Sequence, residues 1–99
     1  MSAYLVLDLT IKDLPTFMHY VKNIPTFLRK HNARYLVEGV EPETIEGDWK
    51  PQRMVILEFP SKEAAKSFLT DPDVQPLFKI RQESTISNLV LADGSSWRE

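Results

Sequence analysis

The sequence contains no cysteine, which excludes several kinds of chemistry. Disulfides, thiol catalysis, iron–sulfur clusters and thiolate zinc sites all require that residue. The two histidines, His19 and His31, are twelve positions apart, rather than the four that place two metal ligands on one helix face. The three glycines form no phosphate-binding loop, and no nucleophile-elbow motif is present. We therefore expect no metal, no cofactor and a reducing, cytoplasmic environment.

The chain also lacks an excess of positive charge and a long apolar run. Its formal net charge is −2 and its pI is about 5.7, whereas nucleic-acid-binding domains concentrate Lys and Arg. Residues 1–13 have no basic segment and include an acidic residue at Asp8, a pattern typical of neither a signal peptide nor a membrane span. We expect neither a nucleic acid nor a membrane as partner.

The 99 residues have the composition of one small globular domain, with 42% apolar and 26% charged residues. Apolar and β-branched runs predict strands at 3–11, 53–59 and 86–92, and a longer strand at 33–46 that is interrupted at Gly39 or Pro42. Apolar residues at helical spacing predict a helix capped by Asp13, and a second one capped by Ser61 that restarts with Asp71 as its cap. We expect one domain, 1–93, and a polar tail, 94–99.

The predicted order of elements, βαββαβ, is that of the ferredoxin-like split βαβ motif. The fold class is then α+β. We expect a four-stranded antiparallel sheet with strand order 4-1-3-2 and both helices on one face.

The sheet face that points away from the helices, called the open face below, is predicted to be half apolar. Strict alternation of side chains gives it Tyr4, Val6, Asp8, Leu36, Glu38, Met54, Ile56, Glu58, Asn88 and Val90. An exposed apolar patch of several hundred Å² is uncommon on monomers. We expect a second copy to cover it sheet to sheet, giving a homodimer. The alternative is that solvent tolerates this face.

The polar segment EGDWKP, residues 46–51, carries one of the two tryptophans of the chain. Strand directions place Asp48, Trp49, Arg53 and Arg81 at one end of the sheet, where two guanidiniums beside an aromatic wall suit a carboxylate or phosphate. These four residues and Arg34 are the candidate ligand-binding residues, for a small anionic or apolar ligand. In the alternative interpretation the charges pair to order the loop, and Trp49 anchors a contact between subunits.

Four residues are candidates for general acid–base catalysis: Asp8, Glu58, His19 and Tyr20. Histidine is the usual proton carrier near neutral pH. His19 and Tyr20, however, flank the apolar stripe of the first helix, so both are expected in the helix layer and away from the open face.

Several stretches form a specific pattern: Arg-Tyr-Leu-Val at 34–37, Glu-Gly-Asp-Trp at 46–49, Glu-Phe-Pro-Ser at 58–61 and Glu-Ala-Ala at 63–65. With Asp71-Pro72, Arg81 and the closing Leu-Val-Leu at 89–91, this pattern resembles the small bacterial proteins grouped as domain of unknown function 1330. The resemblance implies a ferredoxin-like dimeric α+β barrel, in which two sheets pack face to face, and no established activity. Glu38 stands where an arginine is common in that family, and Phe17 where a tyrosine is common.

Three functions remain open at this point, and whether the protein is an enzyme is one of the open questions. The first is a dimeric α+β barrel that binds a small molecule, with or without cofactor-independent chemistry. The second is a non-catalytic structural or regulatory interaction module. The third is RNA binding through the open face, which requires stacking aromatics and basic residues that this face lacks.

Overall fold

A computed structural model describes residues 1–94 of the chain. Its elements follow one another as β1 (Ala3–Ile11), α1 (Leu14–Lys30), β2 (Arg34–Val40), β3 (Arg53–Phe59), α2 (Lys62–Thr70), α3 (Gln75–Ser84) and β4 (Thr85–Asp93). The predicted βαββαβ order is confirmed, with the second helix divided in two. Of the predicted tail, residues 95–99 lie outside the described residues.

The strands form one antiparallel sheet in the order β2-β3-β1-β4, which confirms the predicted order 4-1-3-2. Leu5 of β1 lies opposite Leu57 of β3 and Leu91 of β4. Because residues that face each other across neighbouring strands point to the same side of a sheet, one register places all three under the helices.

The core lies between this sheet face and the helices. Alternate residues of β1 are buried, as period-two alternation requires. Phe68 of α2 is at its centre, with ring centroids 5.4 Å from Phe59 and 5.3 Å from Phe78. These three rings fix α2 and α3 against the sheet.

Two helix caps are as the sequence predicts, and a third is not. The Asp13 carboxylate accepts the Thr16 amide at 3.2 Å, and the Ser61 hydroxyl accepts the Ala64 amide at 3.0 Å. The prediction that Asp71 caps the restarted helix is wrong, because α3 begins at Gln75 without a side-chain cap.

Asp71 is instead tied to the end of α1. Its Oδ2 accepts hydrogen bonds from Lys30 Nζ and His31 Nε2, both at 2.8 Å, and its Oδ1 accepts the Asp73 amide at 2.9 Å. Both oxygens of the Asp71 carboxylate therefore already accept hydrogen bonds. Pro76 falls in the first turn of α3, where its missing N–H has no intrahelical partner to lose.

The second strand is shorter than predicted, since it ends at Val40 instead of continuing to residue 46. Its pairing with β3 shifts register twice, at Leu36 and at Gly39, and Gly39 has a left-handed φ of 69°. Each shift inverts the alternation. Val37 thus opposes Ile56 on the open face, while Glu38 opposes Val55 on the helix face. The expectation that Glu38 belongs to the open face is wrong for this reason, whereas Leu36 lies at the shift itself, without a paired residue on β3.

Candidate functional site

A cleft of about 370 Å³ lies between α1 and the sheet. Its walls are mainly apolar and include Leu7, Leu9 and Leu57 from the sheet and Phe17, Val21 and Ile24 from α1. The volume is within the range of about 300–1,000 Å³ that is common for small-molecule sites. The described residues therefore contain a concave apolar site of ligand size.

α1 packs against α3 as well as over the sheet. Phe17 and Tyr20 stack with ring centroids 5.7 Å apart on the inner side of α1. The bulged strand β2 borders the same space through Tyr35, Glu38 and Gly39. α1 lies over β1, β3 and β2, and side chains do not completely fill the space between the helix and the sheet.

Two phenols line this apolar space. Burial raises the pKa of Tyr20, an effect that the adjacent Arg81 guanidinium opposes. Burial also raises the pKa of Tyr35 to about 12, with smaller contributions from Tyr20 and from the Glu38 carboxylate. Both groups are accordingly neutral hydrogen-bond donors at physiological pH.

Two opposite charges stand at the cleft, on β2 and β3. The Glu38 carboxylate and the Arg53 guanidinium both border it, and both residues are exposed. Arg53 Nη1 donates only a long hydrogen bond, 3.4 Å, to the Gly39 carbonyl. Among residues 1–94, neither side chain has an oppositely charged partner within 4.0 Å. Both charges remain available to a ligand.

Arg81 lies behind Tyr20 and is only 5% exposed. Its Nη1 donates to the Ser87 hydroxyl at 2.8 Å, and its guanidinium carbon is 5.7 Å from the centre of the Phe78 ring. The cleft therefore has a buried positive charge next to one of its two phenols.

The open face has a different character, because both of its carboxylates already accept hydrogen bonds within the chain. Glu58 accepts Arg34 Nε at 2.6 Å and the Tyr4 hydroxyl at 3.1 Å. The hydrogen bond from Arg34, with a smaller effect of Tyr4, lowers the pKa of Glu58. Asp8 accepts the Trp49 indole N–H at 2.9 Å. These partners leave the two carboxylates satisfied.

Trp49 belongs to an irregular connection, residues 41–52, that joins β2 to β3. The Thr44 hydroxyl donates to the Trp49 carbonyl at 2.8 Å, and a smaller hollow of about 270 Å³ lies between this connection and Met54. Despite its bond to Asp8, Trp49 remains 59% exposed, and Ile45 is 85% exposed. The connection thus presents apolar side chains outward beside the open face.

The structure separates the predicted ligand-binding residues into two groups. Trp49 and Arg34 bond to open-face carboxylates, and Asp48 is exposed on the same connection as Trp49. Arg53 and Arg81 lie on the helix side of the sheet. The sheet lies between the two groups, so they do not form the single constellation that strand directions alone suggested.

The acid–base candidates are also divided. Tyr20 borders the cleft, whereas Asp8 and Glu58 are on the open face. His19 is exposed on α1 and does not line the cleft.

Sequence reasoning did not assign Tyr35 and Glu38 to this cleft. The glycine at Gly39 was the available signal, because a bulge there changes which face its neighbours occupy. Within the described range no cluster of three potential metal ligands occurs, and no helix has the length and apolarity needed to cross a bilayer.

The family described as Domain of unknown function (DUF1330) matches residues 2–95, and the chain belongs to this family. None of the curated proteins compared with the chain matches it.

Several solved structures share the fold. A protein of unknown function from Rhodopseudomonas palustris is 15% identical over 96% of this chain and 83% of that chain, with a TM-score of 0.78. A dimeric ferredoxin-like protein of unknown function from Jannaschia sp. CCS1 is 11% identical, covers 95% and 100% of the two chains and has a TM-score of 0.73. SnoaB, a cofactor-independent oxygenase from Streptomyces nogalater, is 14% identical over 96% and 94%, with a TM-score of 0.67. These similarities show the ferredoxin-like fold.

Proposed function

We propose that this member of the family binds a small, largely apolar molecule in the cleft under α1, and does so as a homodimer. The observation that carries the proposal is the cleft itself, with its apolar walls, two phenols and, among residues 1–94, a charge of each sign without an ion-pair partner, at Glu38 and Arg53. Ligand sites typically combine an apolar cavity with a few polar groups that fix orientation.

The homodimer is proposed to form through the open face. Val90 and Ile86 of β4 and Val40 of β2 are exposed there. Glu58 keeps its cationic partner Arg34 when this face is covered, and Asp8 keeps the hydrogen bond from Trp49. The ferredoxin-like protein from Jannaschia sp., which is described as dimeric, supports self-association.

Because the candidate ligand-binding residues lie on two sides of the sheet, the two groups have different roles in the proposal. Arg53 and Arg81 act on the ligand, directly or through Tyr20, because they lie on the cleft side of the sheet. Arg34 and Trp49 order the open face and its flanking connection, where an aromatic side chain suits a subunit contact, and Asp48 is exposed on that connection.

Catalysis without a cofactor extends this proposal. The Streptomyces oxygenase with the same fold is described as cofactor-independent. Tyr20 is the member of the four acid–base candidates that borders the cleft, so it is the residue proposed to act if a reaction occurs there.

Binding of para-nitroanisole, a neutral aromatic probe, tests the function by equilibrium dialysis. We expect saturable binding with a Kd in the micromolar to millimolar range, as ligand efficiency allows for a molecule of this size. Met18→Trp adds bulk to a cleft-lining position of α1 and is expected to weaken binding at least about tenfold. Lys22→Trp makes the same addition at an exposed position of α1 that does not line the cleft, and is expected to bind like the wild type.

Absence of saturable binding to the wild type contradicts the proposal, as does equal binding by Met18→Trp. Either result favours the alternative function, a non-catalytic interaction module. The observation in favour of that alternative is that both open-face carboxylates, Asp8 and Glu58, already accept hydrogen bonds within the chain.

A further inference from the structure

Arg81 is a buried cation, and the described residues around it supply no negative charge to balance it. Its neighbours are the Ser87 hydroxyl, the Phe78 ring and the Tyr20 hydroxyl, and all three are neutral at physiological pH. Within residues 1–94 no carboxylate lies within 4.0 Å of its guanidinium. Arginine stays protonated at any accessible pH, so this position holds a full positive charge at 5% exposure.

A buried charge without a counter-charge is costly, and buried ions in proteins are normally paired. The chain offers its own comparison. Asp71, the other charged residue among residues 1–94 that is nearly inaccessible, is bonded to Lys30 and to His31. A serine hydroxyl and an aromatic face supply a dipole and a quadrupole to Arg81, but no net negative charge.

The cleft offers space for a negatively charged ligand group that balances the charge of Arg81. Arg81 adjoins Tyr20, and Tyr20 lines the cleft. The remaining ionisable groups that border this space are Tyr35, Glu38 and Arg53. Of these only Glu38 is a carboxylic acid, and it is exposed at the edge of the cleft.

We propose that the ligand of the cleft is an organic oxyanion, a carboxylate, phenolate or enolate, whose oxygen accepts a hydrogen bond from the Tyr20 hydroxyl while Arg81 behind it supplies the counter-charge. The inference rests on the proposed binding function and adds the chemical class of the ligand. Arg53 strengthens the same preference at the edge of the cleft. A neutral phenol backed by a fixed cation suits an oxyanion, because the donor is in place before the charge arrives.

Para-nitrophenol tests the inference, because its absorbance reports its ionisation directly. Bound to the wild type, it is expected to have a pKa at least about one unit below that of the free phenol, the shift that a nearby guanidinium produces on an acid. Arg81→Gln is expected to reverse the shift, since the apolar cleft then favours the neutral phenol. Tyr20→Phe, which keeps the ring in the core, is expected to reduce it. Lys79→Gln removes an exposed cation from the same helix and is the control.

Four outcomes overturn the inference: an unchanged pKa of the bound phenol, a raised one, a shift that survives both Arg81→Gln and Tyr20→Phe, and a shift that Lys79→Gln removes equally. Para-nitroanisole separates this failure from that of the proposed function. If the anisole binds and the phenol shows no lowered pKa, the binding function stands and the oxyanion class is wrong. If neither compound binds, both proposals are wrong. Should Arg81→Gln fail to fold, the Tyr20→Phe result decides.

Discussion

Val90→Asp changes an open-face side chain of β4 that lies outside the core. Val90 is 59% exposed in the single chain, and complete burial of a side chain of this size is worth about 1.5–3 kcal/mol. About six-tenths of that, roughly 1–2 kcal/mol per copy, is thus available from covering it. A two-fold interface contains the residue twice, so its loss is worth about 2–4 kcal/mol, or about 30-fold to 700-fold in the dimer dissociation constant. The carboxylate adds a desolvation penalty, which makes this a lower bound.

Sedimentation equilibrium over a series of protein concentrations measures the effect. Wild type is expected to be a dimer, and Val90→Asp is expected to dissociate at concentrations higher by at least the factor above. Val21→Asp makes the same substitution on α1, in the other layer, and is expected to dimerise like the wild type. A monomeric wild type, or a Val90→Asp variant that dimerises as tightly as the wild type, refutes the reasoning about the open face.

Three further predictions concern stability and titration. The hydrogen bond from Lys30 is the main cause that lowers the pKa of Asp71. The stabilisation from this carboxylate is therefore present above its unfolded-state pKa of about 4 and is lost as the pH falls further. Asp71→Asn is expected to lower the thermal midpoint at pH 7 and to make that midpoint less dependent on pH in the acid range, as followed by circular dichroism. Tyr35 is expected to ionise with a pKa of about 12, so Tyr35→Phe is expected to remove a step near pH 12 from an alkaline absorbance titration, and an unchanged step near pH 12 contradicts the assignment. Phe68→Ala is expected to cost about 3–5 kcal/mol in urea unfolding, because it empties the centre of the core, and a loss below about 1 kcal/mol contradicts that packing.

The fold could be predicted because its signals are local and agree with one another. Alternation in β1 marks one buried face, Asp13 and Ser61 mark two helix starts, and the order of elements restricts the topology to few choices. Asp71 was misassigned as a helix cap because the same carboxylate suits the end of α1, and only the tertiary contact with Lys30 and His31 decides between the two.

The site could be predicted only in part, because it depends on register and on packing distance. The shift at Leu36 moves Glu38 to the helix face, and alternation alone cannot locate such a shift. The separation between α1 and the sheet, which creates the cleft, has no counterpart in a pattern of residue types. Tyr20 and Arg81 were identified as candidates separately, but their proximity comes from the packing of α1 on α3.

Methyl-group NMR of the wild-type protein titrated with para-nitroanisole tests the central claim most directly, because it locates the bound molecule. The cleft claim predicts chemical-shift changes at the methyls of Ile24 and Val55, which line the cleft, with those of Val6 and Val90 on the open face unaffected. Changes confined to Val6 and Val90, or no changes up to the solubility limit of the probe, contradict it.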